Sequence, residues 1–188
     1  MKRLLIGSLL LALTPGISLA ELHYSNFEVS LIDVEVDSGF ASVDGDGFSL
    51  AGQYEMNSRL FLLGEWQDQD YDFGIDGRSL EIGVGLNHEL SPDLDLVGTL
   101  SYIDTELEVA GFSAEDDGLG IGGGIRTRVG ESFEIDAMLN WVDFDEAGSD
   151  TAVGVKGRYY FTQKLALSFG LDMADETDTM HLGFRAEF

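Results

Sequence analysis

The sequence has 188 residues, of which 35 are acidic and 10 are basic, and its formal net charge is −25 at pH 7. Such a chain lacks the basic footprint that phosphate binding requires, so we expect no nucleic-acid partner. It contains no cysteine, which excludes disulfides and cysteine-ligated metal. The 24 glycines and two prolines favour a sheet protein with tight turns over a disordered chain.

Residues 1–20 have the three parts of a secretory signal peptide. Lys2 and Arg3 give a basic start, residues 4–13 form an apolar run, and residues 18–20 end in a small-residue cleavage site. We predict cleavage after Ala20, which leaves residues 21–188 as one domain. No cysteine stands at the cleavage point, which argues against a lipoprotein anchor.

The rest of the chain divides into ten strand-like segments with alternating apolar and polar residues. They lie at about 23–36, 47–56, 60–72, 78–90, 94–109, 117–129, 133–144, 151–162, 165–174 and 179–188. Short connections alternate with longer ones, as in up-and-down outer-membrane β-barrels. We therefore predict an all-β, transmembrane, antiparallel barrel of ten strands, with eight as the alternative. Both termini would then lie in the periplasm.

Alternation alone does not say which face of a strand is inside, because lipocalin-like soluble barrels alternate too. Aromatic residues favour lipid on the outside, because they recur at two depths, as the interfacial girdles of membrane barrels do. The predicted girdle near the short turns is Tyr54, Phe133, Phe161 and Phe188, and the one nearer the long loops is Phe48, Trp66, Tyr102 and Trp141.

Charged residues fall on the presumed inward face near the short turns. They are Glu89, Asp95, Arg126, Arg128, Glu134, Asp136, Lys156, Arg158, Arg185 and Glu187. The sixth, seventh and eighth segments carry positive, negative and positive charge in turn, and opposite charges facing each other on neighbouring strands are favourable. Glycines on the fourth and sixth segments leave room for these long side chains. We expect ion pairs that plug the lumen of this narrow barrel, and the alternative is a narrow ion-conducting channel.

Sites for catalysis and metal binding are sparse. His181 faces inward near several aspartates and is the one catalytic candidate, for an outer-membrane hydrolase, but no serine or paired-carboxylate motif supports it. The acidic stretches 44–47, 115–118, 145–146 and 175–178 are interpreted as extracellular loops. Phe48 stands where an EF-hand needs a ligand, so that pattern fails. The sequence leaves open that divalent cations bridge these loops to lipid headgroups. We expect no cofactor and no dedicated metal site.

Two stretches carry a family resemblance: LEIGVGLNHEL at residues 80–90 with the following 91–96, and GFRAEF at residues 183–188. With the signal peptide, they make the chain similar to small outer-membrane β-barrels of the OmpA/OmpX-like superfamily, and more narrowly to the Ax21-type outer-membrane proteins. The resemblance implies that the terminal pattern is the signal read by the barrel-assembly machinery. That pattern consists of Met180, Leu182, Phe184, Ala186 and Phe188.

The expected function is that of a non-enzymatic outer-membrane barrel with a plugged lumen and acidic extracellular loops. It would contact outer-membrane lipid, act in envelope integrity or surface interaction, and be a monomer. The resemblance brings no catalytic residues with it.

Overall fold

The computed structural model describes residues 22–37 and 42–188, and the strands in these residues form one closed antiparallel barrel. The predicted signal peptide lies outside the described residues, so its cleavage stays a prediction. The strands are β1 (Asn26–Asp37), β2 (Ser42–Asn57), β3 (Leu60–Tyr71), β4 (Ile75–Ser91), β5 (Leu94–Val109), β6 (Phe112–Val129), β7 (Phe133–Phe144), β8 (Gly148–Tyr160), β9 (Leu165–Met173) and β10 (Thr177–Glu187). The ten-strand prediction is confirmed and the eight-strand alternative is wrong.

Pairing between the first and last strands closes the barrel. The pairing runs from Asn26 opposite Glu187 to Val36 opposite Thr177. Beyond the last strand, the backbone N–H of Phe188 donates to the carbonyl of Ser25 at 3.2 Å. Each strand therefore has a hydrogen-bonded neighbour on both sides, which removes the exposed sheet edges that promote aggregation.

The apolar face of the barrel points outward. Leu31 and Leu86 are 68% and 60% exposed, whereas Glu134 has no exposed surface. A soluble barrel would bury its leucines and expose its carboxylates, so this arrangement excludes the lipocalin-like alternative. Among the described residues, no helix is long and apolar enough to cross a bilayer.

The two ends of the barrel differ. One end, here called the terminal rim, carries Ser25, Phe188 and the short turns, such as the one between Asn57 and Leu60. The opposite end, the hairpin rim, carries the turns at Phe73–Gly74 and Ala110–Gly111, where all four residues have positive φ. Backbone of this kind matches two-residue hairpin turns.

Two predicted acidic loops are wrong, because residues 44–47 lie within β2 and residues 115–118 lie within β6. The strands continue past the apolar band towards the hairpin rim. There both faces are polar, so the apolar alternation that marks a strand in the sequence disappears while the backbone ladder continues. Residues 145–146 lie in a turn, and residues 177 and 178 begin β10.

The chain start also differs from the prediction, which placed a strand from residue 23. β1 begins at Asn26, and residues 22–25 form no strand. Leu22 and Tyr24 are buried in a cluster with Phe61 of β3 and Val97 of β5. Phe61 and Val97 point into the barrel, and the packing of Leu22 and Tyr24 against them removes their apolar surface from water.

Candidate functional site

A carboxylate surrounded by arginines lies at the centre of the lumen, nearer the terminal rim. Glu134 is fully buried and accepts hydrogen bonds from Arg126 at 2.7 Å and from Arg158 at 3.0 Å. The strand register places Glu134 of β7 directly opposite Arg128 of β6 and Arg158 of β8. Arg126 lies two residues from Arg128 on the same face of β6 and reaches Glu134 diagonally. A buried charge requires partners of this kind to offset its desolvation.

Further ion pairs extend this site across the barrel. Asp136 contacts Arg126 at 3.5 Å and also Arg158, and Arg185 contacts both Glu134 and Glu187 at 3.6 Å. Together they form what we call the lumen cluster. Its members are Glu28, Arg126, Arg128, Glu134, Asp136, Lys156, Arg158, Arg185 and Glu187.

Glu28 is a member of the lumen cluster that the sequence did not point to. Its carboxylate is 3.1 Å from Arg158 and 3.8 Å from Lys156. The adjacent pair Leu31–Ile32 obscures the alternation of this segment, although the structure keeps Ile32 inside and Leu31 outside. A strict count of two from Asn26 would have placed Glu28 on the inward face.

Two predicted members do not join the cluster. Glu89 is exposed at the terminal rim, where it lies opposite Asp95, and among the described residues it has no ion pair. The ladder shifts register between Glu89 and Ser91, so the strand is irregular there. Asp95 is buried, but its partner is the Tyr24 hydroxyl at 2.8 Å, not an arginine.

A short N-terminal plug, here meaning Leu22 and Tyr24, packs inside the barrel at the terminal rim. The Tyr24 ring stacks on Phe61 with 4.6 Å between centroids, and the Arg126 guanidinium lies 4.7 Å from the centre of the Tyr24 ring. The carbonyl of His23 accepts a hydrogen bond from Arg185 at 3.2 Å. The plug is therefore bonded to the lumen cluster as well as packed against the wall.

A polar cavity of about 400 Å³ lies on the other side of the lumen cluster, towards the hairpin rim. Asp136 and Arg158 form part of its floor, and Thr179 and Ala152 belong to its upper wall. Inward positions such as Gly120, Gly122 and Gly154 carry no side chain, and neighbouring polar side chains occupy the space beside them. The glycines therefore make room for the polar groups that line the cavity.

His181 lines the same cavity. Its Nε2 is 2.8 Å from the carboxylate of Asp172, and the histidine side chain is 5% exposed. Within the described residues, no serine or second nucleophile is bonded to it, and no group of three or more His, Asp or Glu side chains could hold a metal ion.

The predicted girdle aromatics lie on the outward face. Phe48 contacts Trp66 edge to face at 5.2 Å, and Phe133 packs on Tyr159 at 5.1 Å. Phe161 lies just beyond the end of β8, because the strand stops at Tyr160. The other girdle residues are Tyr54, Tyr102, Trp141 and Phe188, and all of them are exposed on the outside of the barrel.

Beyond the outer aromatics, carboxylates face outward around much of the barrel. We call this belt the acidic rim; it contains Asp33, Glu35, Asp44, Asp46, Asp68, Asp70, Asp76, Asp104, Glu106, Glu108, Glu115, Asp117 and Asp143. Many of them oppose one another directly, as Asp70 opposes Asp76. Arg78, which is 3.2 Å from Asp68, interrupts this belt with a positive charge.

Comparison with known proteins gives the fold. No family model and no curated protein matches the chain. Among solved structures, the chain is similar to the NanC porin, at 8% identity and a TM-score of 0.50, over 87% of this chain and 100% of that one. The KdgM porin (11%, TM-score 0.47, 87% and 98% covered) and Ail of Yersinia pestis (17%, TM-score 0.45, 88% and 100% covered) are also similar.

The NanC porin is an outer-membrane barrel, and the chain itself forms a closed antiparallel barrel of ten strands, so the predicted fold class is confirmed. At these identities the likeness gives the fold alone. The activities of the neighbours are properties of those proteins and are not transferred to this chain.

Proposed function

We propose that this protein is a non-enzymatic barrel of the outer membrane whose lumen is closed to solutes. Its terminal rim faces the periplasm and its hairpin rim faces outward. Two observations support this most directly: the ion pairs of the lumen cluster and the packing of the N-terminal plug at the terminal rim. The lumen cluster joins charged side chains of β1, β6, β7, β8 and β10 inside the barrel, and the N-terminal plug packs beside it at the terminal rim.

Closure follows from the number of strands and the side chains together. A barrel of this size has room for side chains or one small ligand, whereas barrels with an aqueous channel have about 16 to 18 strands. The cations of the lumen cluster are held by carboxylates on neighbouring or facing strands, as Arg158 is by Glu28 and Glu134. Opening a path would separate buried charges from their partners, which is costly.

A solute-flux measurement tests closure. Purified protein is placed in liposomes loaded with an impermeant polysaccharide, and swelling is followed after dilution into arabinose. A general-diffusion porin is the positive control. The proposal predicts swelling at the rate of empty liposomes. Swelling that increases with the amount of folded barrel would support the channel alternative.

The role in envelope integrity or surface interaction belongs to this proposal. The acidic rim lies at the depth of lipid headgroups, and opposed like charges on neighbouring strands are unfavourable unless a counter-ion lies between them. Divalent cations shared with lipid phosphates would supply that counter-ion. Calcium should therefore raise the temperature at which the barrel unfolds in lipopolysaccharide-containing micelles, and Asp70→Asn with Asp76→Asn should reduce that gain.

The terminal pattern that ends at Phe188 is proposed to be recognised by the barrel-assembly machinery, and the barrel is proposed to be a monomer. The narrower resemblance to the Ax21-type proteins and the signal peptide stay predictions.

A further inference from the structure

Two carboxylates in the polar cavity form no ion pair within the described part of the chain. Glu65 of β3 lies directly opposite Glu81 of β4, and both line the cavity. Neither forms an ion pair with any described residue, whereas Glu28, Glu134 and Asp136 of the lumen cluster each do. Like charges in direct opposition are destabilising. These two carboxylates accept hydrogen bonds, Glu65 from Gln67 at 3.0 Å and Glu81 from Ser101, but no ion pair with a described residue neutralises them beside the cavity.

The space lies across the barrel from these carboxylates. Tracing strand registers from Glu65 in one direction reaches Tyr160 of β8, and tracing them in the other direction reaches Gly148 of the same strand. The midpoint is Gly154, which is at the same height on the facing wall. Gly154 has no side chain, and the space beside it is taken by the carboxylate of Asp172. The side chain of β8 that reaches this cavity is that of Lys156, two residues further along.

Asp172 lies beside Gly154 on that facing wall and adds a third carboxylate. It is bonded to His181, whose side chain is more than nine-tenths buried against the cavity and whose Nδ1 has no hydrogen-bond partner. A histidine that donates through Nε2 offers Nδ1 as an acceptor. Lys156 also lines the cavity, but its ion pair, at 3.8 Å, is with Glu28 of the lumen cluster.

The remaining lining favours an organic ligand over a bare ion. Amides and hydroxyls surround the carboxylates and come from Gln53, Gln67, Thr99, Ser101 and Asn140. A volume of about 400 Å³ is in the range of small-molecule sites. No group of described side chains could hold a metal ion by itself.

We propose that this cavity binds a small organic ammonium ion that enters from the hairpin rim. Glu65 and Glu81 accept its N–H groups and neutralise its charge, and Asp172 faces the other end of the ligand. The amides and hydroxyls satisfy its remaining polar groups. Because the lumen cluster and the plug lie beneath, the ligand is held and is not passed through.

Calorimetric titration of the folded, detergent-solubilised barrel tests this at fixed ionic strength. The probes are 1,4-diaminobutane, its uncharged analogue 1,4-butanediol, and the dianion succinate, all with four carbons. The test variant is Glu65→Gln with Glu81→Gln. The matched control is Asp70→Asn with Asp76→Asn, the other directly opposed acid pair on β3 and β4, which faces outward. Compact migration of unboiled protein on a gel checks folding.

The diamine is expected to bind one per barrel, with an affinity lowered at least about tenfold in the Glu65/Glu81 variant. The Asp70/Asp76 variant should bind it as the wild type does, and the diol and succinate should not bind. The proposal is overturned by no diamine binding to the wild type, by equal binding of the diol, or by full binding in the Glu65/Glu81 variant. Loss of the diamine in the Asp70/Asp76 variant would overturn it too, by placing the ligand on the acidic rim.

Discussion

The Tyr24 ring stacks on the Phe61 ring with their centroids 4.6 Å apart, and this contact joins the chain start to the barrel wall. Phe61 is an inward residue of β3 with almost no exposed surface. The Tyr24 hydroxyl donates to Asp95 of β5 at 2.8 Å. Tyr24 therefore contacts the wall through its ring on β3 and through its hydroxyl on β5.

Substitution of a glycine next to the Phe61 ring is a first test of this packing. A Cβ placed on Gly85 would overlap that ring, whereas one on Gly98 would have no atom closer than 3.9 Å. Gly85→Ala should destabilise the barrel by about 1–3 kcal/mol through overpacking. Gly98→Ala should leave stability nearly unchanged. Urea-dependent folding into lipid vesicles measures both, and equal effects would contradict the packing described.

Glu134 provides a test of the lumen cluster. Glu134→Gln keeps the side-chain size but removes the negative charge, which leaves buried arginines without their shared partner. We expect a loss of about 3–5 kcal/mol in folding free energy, as for other buried pairs broken on one side. Glu131→Gln, in the exposed turn before β7, is the control and should change little. A loss below about 1 kcal/mol for Glu134→Gln would show that the cluster is not a buried ionic network.

The acidic rim predicts a pH effect of definite sign. The pKa of Asp70 is raised, first by its hydrogen bond with Asp76 and also by the nearby carboxylates. A raised pKa means that the folded state binds the proton more tightly. This contribution to stability is present at low pH and is lost as pH rises through the folded pKa. Asp70→Asn should therefore raise the melting temperature at pH 7, with a smaller gain at pH 3. An equal gain at both pH values would contradict the shift.

The C-terminal residue tests the assembly signal. Phe188 is 68% exposed on the outside, and its backbone N–H bonds to Ser25. Because that bond uses the backbone, Phe188→Ala should leave the stability of the refolded barrel nearly unchanged while reducing the amount of barrel assembled in cells. Phe161→Ala, another exposed aromatic near the terminal rim, is the control. Equal yields for both variants in outer-membrane fractions would contradict a recognition role.

How much the sequence predicts depends on whether a residue obeys strict alternation. The inward positions of β6, β7 and β8 follow from alternation alone, and the structure places Arg126, Arg128, Glu134, Asp136 and Arg158 of these strands inside the barrel. Alternation does not predict which of these side chains meet across the barrel. That depends on the tilt of the strands, which brings Glu28 of β1 to Arg158 of β8.

Other features carry no periodic signal. Leu22 and Tyr24 continue the inward parity of Asn26, so a strand from residue 23 is the simplest interpretation of the sequence. In the sequence, the apolar residues Phe61 and Val97 at inward positions are the features that could have indicated a plug. Near the hairpin rim both faces of the acidic strands are polar, so alternation does not identify these residues as strands. The Ala110–Gly111 turn nevertheless defines a hairpin there. The cavity is lined by residues of every strand from β2 to β10, and alternation does not predict which of them meet around one space.

Planar-bilayer recording tests the central claim, a lumen closed by the plug and the lumen cluster. The proteins are the wild type, Leu22→Ser with Tyr24→Ala, and the control His23→Ala, whose side chain is exposed between the two plug residues. We predict no discrete openings for the wild type and the control, and openings for the plug variant. A silent plug variant would show that the lumen cluster seals the barrel alone. Wild-type openings as frequent and as large as those of the plug variant would contradict closure itself.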